Sequence, residues 1–271
     1  MESNLVDLSE ILKECLWCPT PDNIQNWKFH IDNNKLVVEI DKDQWSHPID
    51  FANHSALISL GGLSFYIQVA AAQSGLAAHY KLKTSPQFRL EVWFETDQIN
   101  EKYLQYFSCL RKRRTDRRSY KIGAFDASLY EGLMGLSFSE RVDLSIVQNP
   151  SKNFFNYLEK TEQLMWSDFS IMKATMSLID FSGVTPKVGF SSQNVGLSKI
   201  ESRMMAWLGR HPDLLKAFLN YGMAKMGARK TSFPYKHSDG FLLFSASEVS
   251  LPAIFEVGRA AIESWLYLTQ F

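Results

Sequence analysis

The chain predicts a mixed α+β fold in which antiparallel-rich sheets pack with long helices, and three stretches carry that prediction. WKFHIDNNKLVVEID has the alternating apolar pattern of a β-hairpin interrupted by an Asp-Asn-Asn turn. Ser55 to Ala78 has no charged residue over more than five helical turns, the pattern of a helix buried on all sides. Near the C-terminal end GFLLFSASE and AIFEVGRAAIESWLYLTQF repeat the same order, a strand followed by an apolar helix. With 271 residues, 45% of them hydrophobic and 13% aromatic, the chain can bury a large core as one domain or two closely packed halves.

Each element follows from local pattern. Residues 4 to 16 place Leu5, Leu8, Ile11, Leu12 and Leu16 at helical spacing. CPTPDNIQNW then forms a loop, because Pro19, Pro21, Asp22 and Asn23 resist continuous helix. After the hairpin and the charge-free helix, HYKLKTSPQFRLEVWFE supplies two more strands. In the second half, Phe125 to Leu136 predicts a short helix, RVDLSIVQ a strand, and Phe154 to Leu178 one long amphipathic helix. Residues 182 to 198 are rich in Gly and Ser and read as loop, and Lys199 to Met226 is helical again. Laying Gly61 on Gly258 aligns LGGLSFYIQVAAAQS with VGRAAIESWLYLTQF, so an internal duplication is plausible from periodicity.

Composition narrows the function classes. Lys plus Arg and Asp plus Glu balance at 29 each, so no global field draws the chain to nucleic acid or an anionic membrane. Cys15, Cys18 and Cys109 are odd in number and form no secreted disulfide framework. Cys15-Leu-Trp-Cys18 matches C-x-x-C without a second pair, and reads as two small hydrophobes on a helix in preference to a redox or metal site. The opening MESNLVDLSEILKE is acidic and amphipathic, unlike a signal peptide, which predicts a cytoplasmic chain. Ser55 to Ala78 is long enough to span a bilayer, but it stands alone, has no basic cluster at either border and carries Gly61, Gly62, Gln68, Gln73 and Gly75. The six histidines have no metal-ligand spacing, and no metal site is expected. His237-Ser238-Asp239 has the letters of a triad, but neighbours in a turn converge poorly, and the segment reads as loop.

Charge is concentrated in RKRRTDRRSY, Arg111 to Tyr120, with six basic residues in ten. Three readings are open: a phosphate cradle, a salt-bridged surface, or a nucleic-acid patch. Asp116 inside the run, the zero net charge and the lack of a second basic cluster with interleaved aromatics weigh against nucleic acid. Asn23, Gln25 and Trp27 likewise fit either a ligand site or a capped turn beside a core.

Several of these residues carry a family resemblance. PTPDNIQNWKF resembles the P-S-x-x-N-x-Q-P-W-x-F loop and strand of the FMN-dependent nitroreductase superfamily, and RRTDRRSY its R-R-S-x-R motif. The latter is closer still to the R-R-T-x-R-R segment of the Acg-like proteins, whose G-R-A-x-E-R-x-W-L helix GRAAIESWL resembles. The resemblance covers about Leu12 to Phe271. It implies a nitroreductase-like fold as a fused intramolecular pseudo-dimer, with residues 1–110 as the first half and 111–271 as the second, which carries the arginine motif. One composite site is implied, with Arg113, Arg114 and Thr115 on the FMN phosphate and Arg117 near the N1 and C2 carbonyl edge of the flavin. Pro19, Thr20, Pro21, Asn23 and Gln25 would complete it from the opposite half.

The activity implied is hydride transfer from NAD(P)H through FMN to a nitro, quinone or related small-molecule acceptor, with no catalytic side chain assigned. A catalytically degenerate relative that sequesters flavin, or acts as a stress or interaction protein, is the alternative. Neither nucleic acid nor membrane is an expected partner, and a homodimer of fused pseudo-dimers is compatible. The chain departs from the family pattern at Thr20, where serine is usual, at Asn26, where proline is usual, and at Ser264, where arginine is usual. Arg259 is expected to pair with Glu256 or Glu263, its neighbours at helical spacing.

Overall fold

The structure, a computed structural model, describes residues 8–271 except 33–34, 42–46, 51, 86, 97–98, 118–119, 121–125 and 185. Leu5, the Asn33-Asn34 turn, Arg118 and Phe125 lie outside the described residues.

The chain begins with α1 (Ser9–Cys15) and a one-turn 3-10 helix at Pro21–Asn23, then forms the hairpin β1 (Trp27–Asp32) and β2 (Lys35–Ile40). The charge-free segment is α2 (His54–Gln73), followed by β3 (Ala77–Lys83) and β4 (Arg89–Glu95). These strands make one antiparallel sheet in the order β1-β2-β4-β3, so β2 is central, and three of its apolar side chains, Leu36, Val38 and Ile40, lie in the core beneath the sheet. A 3-10 segment, Glu101–Cys109, leads to the arginine run.

The second half starts with α3 (Ala127–Met134) and β5 (Val142–Gln148). The chain then leaves for a helical insertion and returns as β8 (Gly240–Ala246), which pairs antiparallel with β5, before ending in α9 (Leu251–Leu268). Both halves thus follow the order helix, strand, strand, helix: α1, β1, β2, α2 in the first and α3, β5, β8, α9 in the second.

The insertion corrects two expectations. Residues 154–178 are not one helix: α4 (Lys152–Ser167) ends and α5 (Phe169–Ser177) begins at Asp168, whose backbone is extended. Its carboxylate accepts from the Ser170 and Ile171 amides at 2.8 and 3.0 Å, an N-cap that competes successfully with continued helix. The run from Lys199 is also divided, into α6 (Lys199–Gly209), α7 (Pro212–Phe218) and α8 (Ala224–Lys236), the last reaching well past Met226. Pro212 has no amide hydrogen to continue α6, and a π turn at Leu219–Met223 holds Gly222 at φ 109°. Residues 182–198 are mostly loop, as expected, apart from a two-residue parallel pairing of β6 (Ile179–Asp180) with β7 (Phe190–Ser191).

The central packing is α2 against α9. Of the described helices, α2 alone is long and apolar enough to cross a membrane, and 83% of that window is buried inside the protein, which gives its apolar surface a use in the core. Leu57, Leu60, Leu63, Phe65, Tyr66 and Ile67 join Phe255, Ile262 and Leu266 in one cluster. The helices approach so closely that a Cβ on Gly61 would lie 2.0 Å from the Phe255 carbonyl oxygen, and one on Gly258 1.9 Å from that of Ile58. The contacts are reciprocal. The offset that lays Gly61 on Gly258 also lays Ile58 on Phe255, so each glycine meets the counterpart of the residue that its own counterpart meets. Gly62 against the Ile262 side chain and Phe65 under the Arg259 guanidinium at 5.8 Å exchange in the same way.

A second, smaller core lies in the insertion, where Met172, Met176, Met205, Leu208, Leu215 and Leu219 cluster.

Candidate functional site

The arginine run and the segment that leads into the proline loop, about ninety residues apart in sequence, meet beside Tyr66 of α2. The first anchor is Arg111, whose guanidinium grips the buried carboxylate of Glu14 through two hydrogen bonds of 2.6 and 3.0 Å. Arg111 is thereby committed to an ion pair. Tyr66 is the second anchor: its hydroxyl donates to the Leu110 carbonyl at 3.1 Å and accepts from Arg113 Nε at 3.2 Å. Burial pushes the Tyr66 phenol above its ordinary range, with Arg113 opposing, so the hydroxyl keeps the proton it donates.

Arg113 also donates through Nη2 to the Trp17 carbonyl at 3.3 Å and lies 4.3 Å from the centroid of the Trp265 ring, a cation–π contact. Arg114 folds back, its Nη1 donating to the carbonyls of Arg111 at 2.6 Å and Arg113 at 3.0 Å. Arg117 donates to the Asn194 carbonyl at 3.3 Å and sits 5.3 Å from the Phe190 ring centroid. Thr115 and Lys112 are exposed. Among the described residues Arg113, Arg114 and Arg117 form no ion pair within 4.0 Å; their hydrogen-bond acceptors are carbonyls and one phenol. Arg113 Nη1 and the Nε and Nη2 of Arg114 and Arg117 take no described acceptor, which leaves donors for an anion.

The proline loop is strained and internally bonded. Asp22, Asn23 and Gln25 all have positive φ, between 51° and 53°, a region that costs a side-chain-bearing residue of order 1 kcal/mol. Thr20 Oγ1 accepts the Gln25 amide at 3.1 Å, Gln25 Nε2 donates to the Cys18 carbonyl at 3.2 Å, and Gln25 Oε1 accepts from the Trp27 indole at 3.0 Å. Asn23 is clasped to the later loop: its Nδ2 donates to the Gly189 carbonyl at 3.1 Å and its own carbonyl accepts the Gly189 amide at 3.1 Å. Pro21 opens the 3-10 turn, and Pro19 and Thr20 are half-buried beside it. Both motif amides are therefore engaged in holding the loop and its core, the capped-turn arrangement open from sequence.

Five residues in or beside the motifs were given no site role by the sequence reading. Asp22 lies inside the quoted loop; burial raises its carboxyl, while His47 and Arg117 act in the opposite direction. His47 is buried, accepts the Ile49 amide at Nδ1 (3.3 Å), and has Nε2 3.5 Å from Thr175 Oγ1. Trp265 was visible within GRAAIESWL, but nothing local tied it to Arg113. Phe190 and Tyr66 are brought in by tertiary packing alone.

Cys15 and Cys18 are both buried in the main core, and burial raises both thiols above their ordinary range, so they stay protonated. Arg259 meets Glu256 at 3.5 Å, as expected, while Glu263 turns to Lys102 at 3.1 Å. Arg259 also donates to Ser64 Oγ at 2.6 Å and Gln68 Oε1 at 2.7 Å, which fastens α9 to α2. Open clefts of about 400 and 280 Å³ lie along α3 and β5, and no described residue of the arginine run or the proline loop lines either.

No protein-family model matches the chain, and no curated protein matches its sequence. The unpaired guanidinium donors of Arg113, Arg114 and Arg117 have the chemistry that binds a phosphate. The ligand contacts implied for Asn23 and Gln25 fit less well, because their amides already bind protein groups.

Proposed function

We propose that the chain is a nitroreductase-like fused pseudo-dimer that binds FMN with its phosphate at Arg113, Arg114 and Thr115 and its flavin edge near Arg117, and serves as an NAD(P)H-dependent oxidoreductase. The observation that carries the reading is the approach of the two motifs: Arg113 of the arginine run bonds the Trp17 carbonyl just ahead of the proline loop, and Arg117 lies close enough to Asp22 within the loop to lower its carboxyl. The reciprocal crossing of α2 and α9 supports the pseudo-dimer, since an exchange of contacts about a two-fold is how two related halves pack.

When bound, FMN supplies hydride chemistry between NAD(P)H and a nitro, quinone or related acceptor. Arg113 is the principal phosphate donor, oriented by Tyr66, Trp17 and Trp265. Arg114 exchanges exposed bonds to neutral carbonyls for bonds to a charged phosphate, and Arg117 exchanges its own for the flavin edge. The strained loop from Pro19 to Gln25 fixes the opposite wall.

The engaged amides of Asn23 and Gln25 favour a second reading, a catalytically degenerate relative that holds flavin without turnover. FMN titration of the purified protein, followed by NADPH oxidation with a nitroaromatic or quinone acceptor, separates the two. Uptake with turnover supports the oxidoreductase, and uptake without turnover supports sequestration. Arg113→Ala is expected to weaken FMN binding roughly tenfold to a hundredfold, the worth of one charge-assisted bond of about 1.5–3 kcal/mol. Failure to take up FMN refutes both readings, and tight salt-dependent nucleic-acid binding lost on substitution of Arg113 and Arg114 replaces them.

A further inference from the structure

The helical insertion turns an unusual surface outward. Ser202, Met205 and Leu208 of α6 face inward, while Ile200, Met204 and Trp207, at i, i+4 and i+7, are 80%, 47% and 47% exposed. Beyond Pro212, Phe218 is half exposed and Tyr221 89% exposed. Isolated exposed apolar residues are ordinary, but five large ones along one short stretch are not.

The charges give this face a sign. Lys199, Arg203 and Arg210 recur at helical spacing along one flank of the Ile200–Met204–Trp207 stripe, all exposed and without an ion pair among the described residues. Across residues 199–226 there are five basic and two acidic side chains, and one of the acids, Glu201, is held by Lys230 at 2.8 Å. A local positive surface therefore sits on a chain of zero formal net charge.

We propose that the α6–α7 face docks on an anionic lipid surface, inserting the Ile200–Met204–Trp207 stripe to headgroup depth while Lys199, Arg203 and Arg210 meet lipid phosphates. An apolar stripe with a tryptophan, flanked by cations, is the composition of a helix that lies in a membrane interface. A second copy is a poorer occupant, because packing this face on itself about a two-fold brings the same three cations toward their own images. The sequence predicts no membrane partner because its charges balance overall, which hides the local excess of cations on α6.

The test is co-sedimentation of the full chain with vesicles of phosphatidylcholine alone and of phosphatidylcholine containing about one-third phosphatidylglycerol, at low and high salt. The expected result is binding to the anionic vesicles only, weakened by salt, with a blue shift of tryptophan emission that Trp207→Phe reduces. Arg203→Gln and Arg210→Gln are each expected to weaken binding roughly fivefold. Ile200→Glu should abolish it while leaving the thermal melt unchanged, since that side chain is already 80% exposed. Equal binding to neutral vesicles, or none to either, overturns the proposal. A dimer in lipid-free buffer that Trp207→Glu dissociates assigns the face to a second copy and overturns it equally, as does capture of an acidic protein in the absence of lipid.

Discussion

Gly258→Ala is expected to destabilise the chain by about 2 kcal/mol net, even though alanine is the better helix former. Gly258 lies in the middle of α9, where the exchange would by itself gain about 1 kcal/mol. The new methyl, however, would stand 1.9 Å from the Ile58 carbonyl oxygen, 2.7 Å from its carbon and 2.8 Å from its Cα, and ordinary contact begins near 3.4 Å. All three are backbone atoms of α2, so no rotamer change relieves the overlap and the helices must separate by more than 1 Å along their crossing. Overpacking of this kind costs about 3 kcal/mol at the upper end of its usual range, and that exceeds the propensity gain. Gly61→Ala, 2.0 Å from the Phe255 oxygen, should cost nearly the same. The double variant should cost less than the two together, because helices already moved apart accommodate the second methyl. Gly62→Ala should be milder, since it meets the Ile262 side chain, which can turn away. Urea unfolding followed by far-ultraviolet circular dichroism measures all four, as shifts of the midpoint at constant slope. A Gly258→Ala protein as stable as the parent, or a Gly61→Ala protein unaffected while Gly258→Ala is severe, refutes the reciprocal close approach.

Three further outcomes follow from the packing and charges. Burial raises the Glu263 carboxyl above the ordinary 4.5, with Lys102 opposing, so it is protonated in both states in acid; as the pH rises through 4.5 the unfolded chain ionises first and stability falls until the folded carboxyl ionises too. Glu263→Gln should remove that decline from the dependence of thermal midpoint on pH. Glu201 behaves oppositely: Lys230 and the Ser198 amide hold it down at about 2, so its stabilisation is present above 4.5 and lost as the pH falls toward 2. Its half-exposed position limits that term to under about 1 kcal/mol, and urea midpoints of Glu201→Gln between pH 2 and 6 check it. Leu215→Ala, at 2% exposure in the insertion core, should cost about 2–5 kcal/mol locally; hydrogen exchange should accelerate in α6 and α7 while the amides of α2 stay protected.

Residue patterns in the first half were legible because they are local. The alternation in WKFHI and LVVEI and the absence of charge from Ser55 onward each state a burial pattern within a few turns of chain. The match of Gly61 to Gly258 was also readable, though the reason for it, two backbones pressed together, was not. The insertion was read less well. Asp168 looks like one polar residue on an amphipathic helix, and only its capping bonds show that the helix restarts there. The site was half legible: both motifs were seen, but the clasp of Asn23 on Gly189 joins residues 166 positions apart, and no spacing rule encodes it. Asp22 and His47 were passed over because an acid in a turn and a histidine without metal-ligand spacing have bland local readings.

The separation of α2 from α9 along the chain also bears on biosynthesis. At translation rates of 5–20 residues per second, roughly 180 residues and about 10–40 s intervene between the completion of α2 and the start of α9. Throughout that interval the most apolar helix of the chain lacks the partner that covers its glycine face. The first sheet can shelter one side of it, because β1 to β4 are complete by Glu95. The other side must wait, so the nascent chain should engage holding chaperones at α2 and release them only when residues 251–268 have emerged.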